Sequence, residues 1–249
     1  MTTLTLMTGS SRGMGEAMAR QCLQAGHQVL GIARSSNSAL AAMANPQQLT
    51  QWEADLADSA DLALRLGHWL AEQDAQRFDT VQLINNAGVI ATLAPLSQVP
   101  LDETVRALRV GLEAAMLLTS SFLAATAEWP ATRKVLNISS GLGRRAMAGS
   151  ASYCAAKAGM DHFSRAVALE EAAKPRGARI VSLAPGVIAT DMQVQLRSAD
   201  PIQFPDRRAF EQLLAQGQLT SPDHAASKVL AYLARADFGS QAVGDVRDA

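Results

Sequence analysis

Three side chains in the middle of the sequence have types and spacing suited to acid–base chemistry: Ser140, Tyr153 and Lys157. Tyr153 and Lys157 stand four residues apart, so on a helix they share one face about one turn from each other. A free phenol has a pKa of about 10 and is a poor acid or base at neutral pH. A fixed ammonium beside it favours the phenolate and is expected to lower that value. A tyrosine so tuned can give a proton to a carbonyl oxygen or take one from an alcohol. Ser140, in Asn137-Ile-Ser-Ser-Gly-Leu-Gly143, is close enough in sequence to hydrogen-bond the same oxygen. Taken alone, Tyr-x-x-x-Lys describes many solvated helix faces. What makes this pair a candidate site is the chain around it.

The chain opens with an apolar strand at Thr3–Thr8, then Gly9-Ser10-Ser11-Arg12-Gly13-Met14-Gly15, then a helical pattern from Glu16 to Ala25. Strand, glycine turn and helix start together make an anion cradle: glycines admit a phosphate close to the backbone, and the helix N-terminus offers unpaired N–H groups. The spacing Gly-x-x-x-Gly-x-Gly is a relative of the dinucleotide fingerprint rather than the Gly-x-Gly-x-x-Gly form itself. A second strand, His27–Ala33, ends in Arg34-Ser35-Ser36, where NAD-binding folds carry a carboxylate for the adenosine ribose. No carboxylate is present here, and Arg34 with Arg12 can grip a 2′-phosphate, which favours NADP over NAD.

A short helix at Ser38–Ala44 and a third strand at Leu49–Ala54 lead to Asp55-Leu56. Asp55 can accept from an adenine amino group or cap a helix starting near Ser59. After an amphipathic helix at Asp61–Gln73, a fourth strand at Val81–Ile84 runs into Asn85-Asn86-Ala87-Gly88, small residues suited to a ligand crevice at a strand end. A long helical region spans Leu101 to Ala127. A fifth strand, Arg133–Ile138, delivers Ser140. Tyr153 and Lys157 ride a helix at Ser152–Ala173, and a sixth strand at Arg179–Leu183 precedes Pro185-Gly186 and Thr190-Asp191. Gln193–Arg208 reads as polar and irregular, with Pro201 and Pro205, and residues 192–216 are expected to form a lid over the substrate. Short helices from Asp206 to about Gln216 and at Pro222–Ala236, and a short strand within Gln241–Val246, complete the chain. Regular alternation of strands and helices predicts an α/β fold: a single domain over 1–249, a doubly wound parallel sheet with helices on both faces.

Composition fits that reading. Of the 249 residues, 48% are hydrophobic and 18% charged, enough apolar material for one large core. A net charge of −1 gives no reason to expect nucleic acid or an anionic membrane as partner. The two cysteines, Cys22 and Cys154, form no disulfide framework and suit a reducing, cytoplasmic setting. Neither they nor His27, His68, His162 and His224 have metal-ligand spacing, so no metal is expected. The N-terminal residues carry no basic segment of the signal type, and no apolar run reaches membrane-spanning length.

Thr8-Gly-Ser-Ser-Arg-Gly-Met-Gly15, Asn85-Asn-Ala-Gly88, Ser140, Tyr153-x-x-x-Lys157 and Pro185-Gly-Val-Ile-Ala-Thr190 resemble, in order and spacing, the motifs of the short-chain dehydrogenases/reductases. Leu83-Ile-Asn-Asn-Ala-Gly88, Leu118-Thr-Ser-Ser-Phe122, Ala151-Ser-Tyr-Cys-Ala-Ala-Lys-Ala-Gly159 and Ala184–Gln193 are similar to the sepiapterin-reductase-related group and, within it, to bacterial benzil reductases, which reduce one carbonyl of an aromatic 1,2-diketone. The resemblance implies Tyr153 as general acid and Lys157 as holder of the nicotinamide ribose, with Ser140 orienting the carbonyl. It places Gly9, Ser11, Arg12, Gly13, Met14 and Gly15 at the pyrophosphate and adenosine side, with Arg34 and Ser35 beside them. Asp55 and Leu56 would flank adenine, and Asn86, Ala87 and Gly88 the ribose. Pro185, Gly186, Val187, Thr190 and Met192 would meet the nicotinamide end. The implied cofactor is NADP(H), and the implied partner a small carbonyl compound.

Two departures stand out. The family's usual Asn in the long middle helix is Gly111 here, so the side chain that helps hold a proton-relay water is absent and a local helix distortion is expected. The C-terminal glycine pair is also absent after Val243-Gly-Asp-Val246, which makes a homodimer the expected assembly rather than a tetramer; Ala114, Ala115, Leu118 and Phe122 are interface or core positions. The expected pocket walls (Ile90, Leu93, Leu142, Met147, Val187 and the Met192–Phe210 region) are mostly apolar. Alternatives are a 3-oxoacyl or pterin side-chain reductase, or an NADP-binding sensor without turnover.

Overall fold

The computed structural model describes residues 2–248. Seven parallel strands form one sheet in the order β3-β2-β1-β4-β5-β6-β7. They are β1 (Thr3–Thr8), β2 (Gln28–Ala33), β3 (Leu49–Glu53), β4 (Thr80–Asn85), β5 (Thr132–Ile138), β6 (Arg179–Ala184) and β7 (Val243–Asp245). After β3 the chain crosses back to pair β4 with β1. The order therefore reverses between β1 and β4, where a doubly wound sheet opens a crevice at its C-terminal edge.

The first half of the chain contributes α1 (Gly13–Gln24), α2 (Ser38–Met43), α3 (Ser59–Ala71), α4 (Leu101–Leu108) and α5 (Ala114–Ala125). The second contributes α6 (Ala151–Ala172), α7 (Asp191–Ser198), α8 (Arg207–Ala215) and α9 (Pro222–Ala234). Period-two burial in β1 assigns the faces. Leu4 and Leu6 join Leu66, Leu118, Phe122 and Val167 beneath α3, α5 and α6. Met7 joins Met18, Leu23, Val229 and Leu233 beneath α1 and α9. A third, smaller cluster at the C-terminal edge holds Leu93, Leu142, Met147, Tyr153, Leu196 and Phe204.

The helix distortion expected at Gly111 is a π-helical turn at Arg109–Glu113 between α4 and α5. A β-carbon on Gly111 would lie 3.1 Å from the Ala156 methyl, so glycine lets this turn approach α6 directly beside Lys157. The run Leu101–Ala125 is, contrary to expectation, apolar and long enough to cross a membrane by length and composition. In this fold it packs against the sheet, with Ala114, Leu118 and Phe122 buried. That burial also removes Ala114, Ala115, Leu118 and Phe122 as interface candidates; the outward apolar residues are instead Leu101, Val105, Leu108 and Met116.

The stretch Gln193–Arg208, expected to be irregular, starts as a helix, α7, which forms a hairpin with α8, the helix expected from Asp206 to Gln216. α7 turns Gln193 and Leu196 inward, and Phe204, fully buried, stacks on Phe210 of α8 at 5.8 Å. Its two prolines, Pro201 and Pro205, fall in the connection, where they interrupt no helix.

Candidate active site

Beneath the site a buried polar ladder fixes the elements that present it. Asn85 Nδ2 donates to Asn137 Oδ1 (2.8 Å) and Thr119 Oγ1 (3.1 Å), and Asn137 Nδ2 donates to Ser164 Oγ (2.9 Å). This ties β4, β5, α5 and α6 together with directional bonds, which hold a register that apolar packing alone leaves free. Above it, Asn86 donates Nδ2 to the Thr8 carbonyl (3.0 Å), while the N–H groups of Asn86 and Ala87 both donate to Thr8 Oγ1. The ends of β1 and β4 are thereby pinned at the crevice.

The glycine turn is built for a backbone to come close. Gly9 and Gly13 adopt φ of +70° and +58°, left-handed values that glycine takes without strain. A β-carbon on Gly15 would stand 2.0 Å from the Gly9 carbonyl oxygen, so the loop closes on α1 only with glycine there. The helix begins at Gly13 rather than Glu16, so the glycines themselves form its first turn. Arg12 at the N-cap makes no side-chain cap bond, leaving first-turn N–H groups for a ligand.

This turn, the crevice and the Ser140 loop enclose one cavity of about 590 Å³. Gly9, Ser11, Arg12, Gly13, Met14 and Gly15 line one end, together with Arg34, Asp55 and Leu56. Asn86, Ala87 and Gly88 run along its middle, followed by Ser140, Tyr153 and Lys157. Pro185, Gly186, Val187, Thr190 and Met192 border the same region. Ser35 is not part of the wall: it follows the strand end and is exposed. Leu93 and Met147 lie behind the wall, packed against Tyr153.

Several side chains have partners that the sequence did not announce. Arg12, expected beside a phosphate, pairs with Asp191 at 2.7 Å, both groups exposed. Asp55 caps the short 3₁₀ turn Leu56–Asp58 through the Ala57 N–H, not α3, and also pairs with Arg106 at 2.9 Å. Arg144 is one-third exposed and reaches inward to the Gly244 carbonyl (2.7 Å) and Asp161 (3.4 Å). Asp245 and Arg247 face the cavity as a bidentate pair (2.8 and 2.6 Å). Gln193 lines the cavity as well; the pattern Thr190-x-x-Gln193 at a helix start was the signal that could have drawn attention to it.

At the centre, Tyr153 and Lys157 are both buried. Lys157 Nζ donates to the Ile138 carbonyl at 2.7 Å and stands 5.7 Å from the Tyr153 ring centre. A β-carbon on Gly88 would lie 3.7 Å from that Nζ, so the Asn-Asn-Ala-Gly turn passes close to the ammonium. The expected lowering of the Tyr153 pKa is not what this geometry produces. Burial pushes the phenol up to about 12; the Ser140 hydroxyl pulls it partly back, and Cys154 adds to the rise. Burial also brings Lys157 down to about 8, with Asp161 acting in the opposite sense. The arrangement is thus a protonated phenol at neutral pH beside a hydroxyl and an ammonium: a proton donor aimed into a cavity. Among the described residues no group of three or more His, Cys, Asp or Glu is placed to hold a metal ion. Cys22 is buried, which pushes its thiol up to about 12 and leaves it unreactive.

Comparison with known proteins places the chain in a family. The signature of the family described as short chain dehydrogenase matches residues 3–201. A benzil reductase ((S)-benzoin forming) of Bacillus cereus is 33% identical over 235 residues, covering 94% of both chains. A sepiapterin reductase of Bos taurus is 31% identical, covering 99% of this chain and 95% of its own. Among solved structures, a short-chain dehydrogenase/reductase from Burkholderia vietnamiensis is 34% identical with a TM-score of 0.66, covering 99% of this chain and 97% of that one. The seven-stranded parallel sheet and these matches are those of an oxidoreductase that uses a nicotinamide cofactor on carbonyl or alcohol groups, and the chain belongs to the short-chain dehydrogenase family.

Proposed function

We propose that this protein is an NADPH-dependent reductase of apolar ketones, acting on one carbonyl of an aromatic 1,2-diketone of the benzil type. The observation that carries the reading is a buried, protonated Tyr153 beside Ser140 at the floor of a cavity whose far wall is Ile90, Leu142, Val187, Leu196 and Phe210. Proteins named benzil reductases, 33% and 32% identical, direct the choice among ketones.

A bound reduced nicotinamide would supply the hydride. The chain's own groups do the rest. Gly9, Gly13 and Gly15 admit a pyrophosphate to the N-terminus of α1; a β-carbon at Gly15 would strike the Gly9 carbonyl and part the loop from the helix. Arg34 lines the cavity with Asp55 and Leu56 and, joined by Arg12 once it leaves Asp191, would grip a 2′-phosphate, which supports NADPH over NADH. Asn86–Gly88 and Lys157 would hold a ribose; Lys157 spends one N–H on Ile138 and keeps two for ligand hydroxyls. Pro185–Thr190 and Met192 would shelter the ring. The Ser140 hydroxyl orients the substrate carbonyl and stabilises the oxygen as charge develops there. The Tyr153 proton passes to that oxygen, giving the alcohol. A phenol raised by burial is protonated at neutral pH and so holds the proton that reduction delivers to the carbonyl oxygen.

α7 and α8 would close over the substrate as a lid. The outward apolar residues Leu101, Val105, Leu108 and Met116 support a homodimer, to be read from light scattering. Free cysteines support a cytoplasmic setting.

The test is loss of reduced-nicotinamide absorbance with benzil and with simple ketones, using NADPH and NADH in parallel. NADPH-selective turnover of benzil is expected. Tyr153→Phe should lower kcat by about 10³-fold while leaving NADPH binding intact; turnover surviving that change would remove Tyr153 as the donor.

A further inference from the structure

α7 starts Thr190-Asp-Met-Gln193, the pattern of a capping box, in which the Thr hydroxyl caps the helix and the Gln side chain returns to the Thr N–H. Here the box is open. Thr190 makes no side-chain cap bond; its hydroxyl leans toward the Ile188 carbonyl at 3.5 Å. Gln193, only 7% exposed, has its Oε1 buried without a hydrogen-bond partner. An unpaired buried amide oxygen is costly, so the position calls for a ligand that completes it.

The direction of the side chain identifies that ligand. Gln193 and Leu196 are the two inward residues of α7, three apart and therefore on one face. Leu196 packs in the cluster that contains Tyr153, Leu142 and Phe204. Gln193 therefore lines the cavity one turn from a residue packed with the phenol. Asp245 is committed to Arg247; Arg197, four residues beyond Gln193 on α7, has a buried Nη1 that is likewise without a partner, and the wall around Leu196 is apolar.

We infer that Gln193 is the receptor for a second substrate oxygen, on the carbon adjacent to the reacting carbonyl. This rests on the reductase reading above and deepens it. A primary amide can turn its NH₂ to a carbonyl or its oxygen to a hydroxyl. The substrate class is thus carbonyl compounds oxygenated at the adjacent carbon: 1,2-diketones and 2-hydroxyketones.

The experiment compares wild type with Gln193→Met, which keeps volume and removes both polar atoms. Reduction of benzil is set against deoxybenzoin, in which one carbonyl is a methylene. Gln193→Met should lose roughly 5- to 30-fold in kcat/KM on benzil and stay within about twofold on deoxybenzoin, the size of an effect with no hydrogen bond lost. Its NADPH dissociation constant should be unchanged and its Tm no lower than wild type, because an unpaired buried amide has been removed. Equal losses on both ketones, weakened NADPH binding, or a lowered Tm would each overturn the assignment, making Gln193 a cofactor or structural residue. A second measurement needs no turnover: dissociation constants of benzoin and deoxybenzoin from the NADP⁺ complex. Wild type should favour benzoin and Gln193→Met should not; equal binding by wild type overturns the inference. Failure of the diketone reading is distinct, showing as wild type that reduces other carbonyls but not benzil.

Discussion

Asp161→Asn should move the pH dependence of cofactor use without dismantling the site. Asp161 is 2% exposed and lies one helical turn beyond Lys157 on α6. Its Oδ1 accepts from Ser182 Oγ at 2.7 Å, a bond an Asn oxygen can keep. Its Oδ2 has no aligned donor; Arg144 Nε is 3.4 Å away, and Gly143 is close enough that a β-carbon there would stand 2.8 Å from it. The carboxylate therefore acts on Lys157 through charge. Burial lowers Lys157 to about 8 even with that charge present, because Asp161 works to raise it. Side chains four apart on a helix lie about 6 Å from each other. At an effective dielectric of about 20 this gives ~2.8 kcal/mol, or ~2 pH units, as an upper figure. Arg144 already offsets part of the charge, so about 1.5 units is a working value. The ammonium then empties earlier as pH rises. At pH ~7.5 the charged fraction falls about eightfold, whereas near pH ~5.5 it is almost unchanged. The quantity to measure is kcat/KM for NADPH against pH, which reports the free enzyme. Wild type should fall above about pH 8, following Lys157, and the variant should fall at correspondingly lower pH, with similar values on the acid side. A uniform loss at every pH, with the limb unmoved, would refute the electrostatic role and leave Asp161 as packing alone.

The glycine cradle gives a paired test. Gly15→Ala puts a methyl 2.0 Å from a backbone oxygen, so helix and loop must part; NADPH affinity should fall at least tenfold, with stability lower by about 1–3 kcal/mol. Gly13→Ala meets nothing nearer than Thr190 Cγ2 at 3.6 Å and carries only the left-handed backbone penalty of about 1–2 kcal/mol, so it should be the milder change in a fluorescence titration. If the two affinities fall equally, close approach at Gly15 is not what shapes the cradle. Arg34→Ala should raise the KM for NADPH about tenfold, as expected for one exposed phosphate contact, and leave NADH unchanged; equal effects on both cofactors would place Arg34 away from the 2′-phosphate.

Much of the fold was legible because local and global signals coincide. Strand β1 reads as apolar, its glycine turn as a turn, and α1 as a helix whatever surrounds them. The cavity wall was legible for the same reason: its residues sit at strand ends, which a parallel sheet gathers on one edge. Ser35 marks the limit of that logic, since one residue past a strand end the chain can already turn to solvent. Helix α8 was legible as a short helix from Asp206 to Gln216, but α7 was missed because it owes its stability to burying Gln193 and Leu196 against the rest of the protein, a contact no short window contains.

The phenol was misread for a deeper reason. Spacing places Lys157 one turn from Tyr153, and from that alone the ammonium should lower the phenol. Spacing says nothing about water. The cluster of Leu93, Leu142, Met147, Leu196 and Phe204, drawn from segments more than a hundred residues apart, removes it from both groups. Desolvation then sets both values, raising the acid and lowering the base. Gly111 carries the same lesson in reverse. A glycine in mid-helix reads as a weakness, yet the π-helical turn here lies so close to α6 that even a β-carbon on Gly111 would stand 3.1 Å from the Ala156 methyl, next to Lys157. What the turn contributes to the site is closeness of backbone, so the side chain lost at that position and the approach gained are one structural choice.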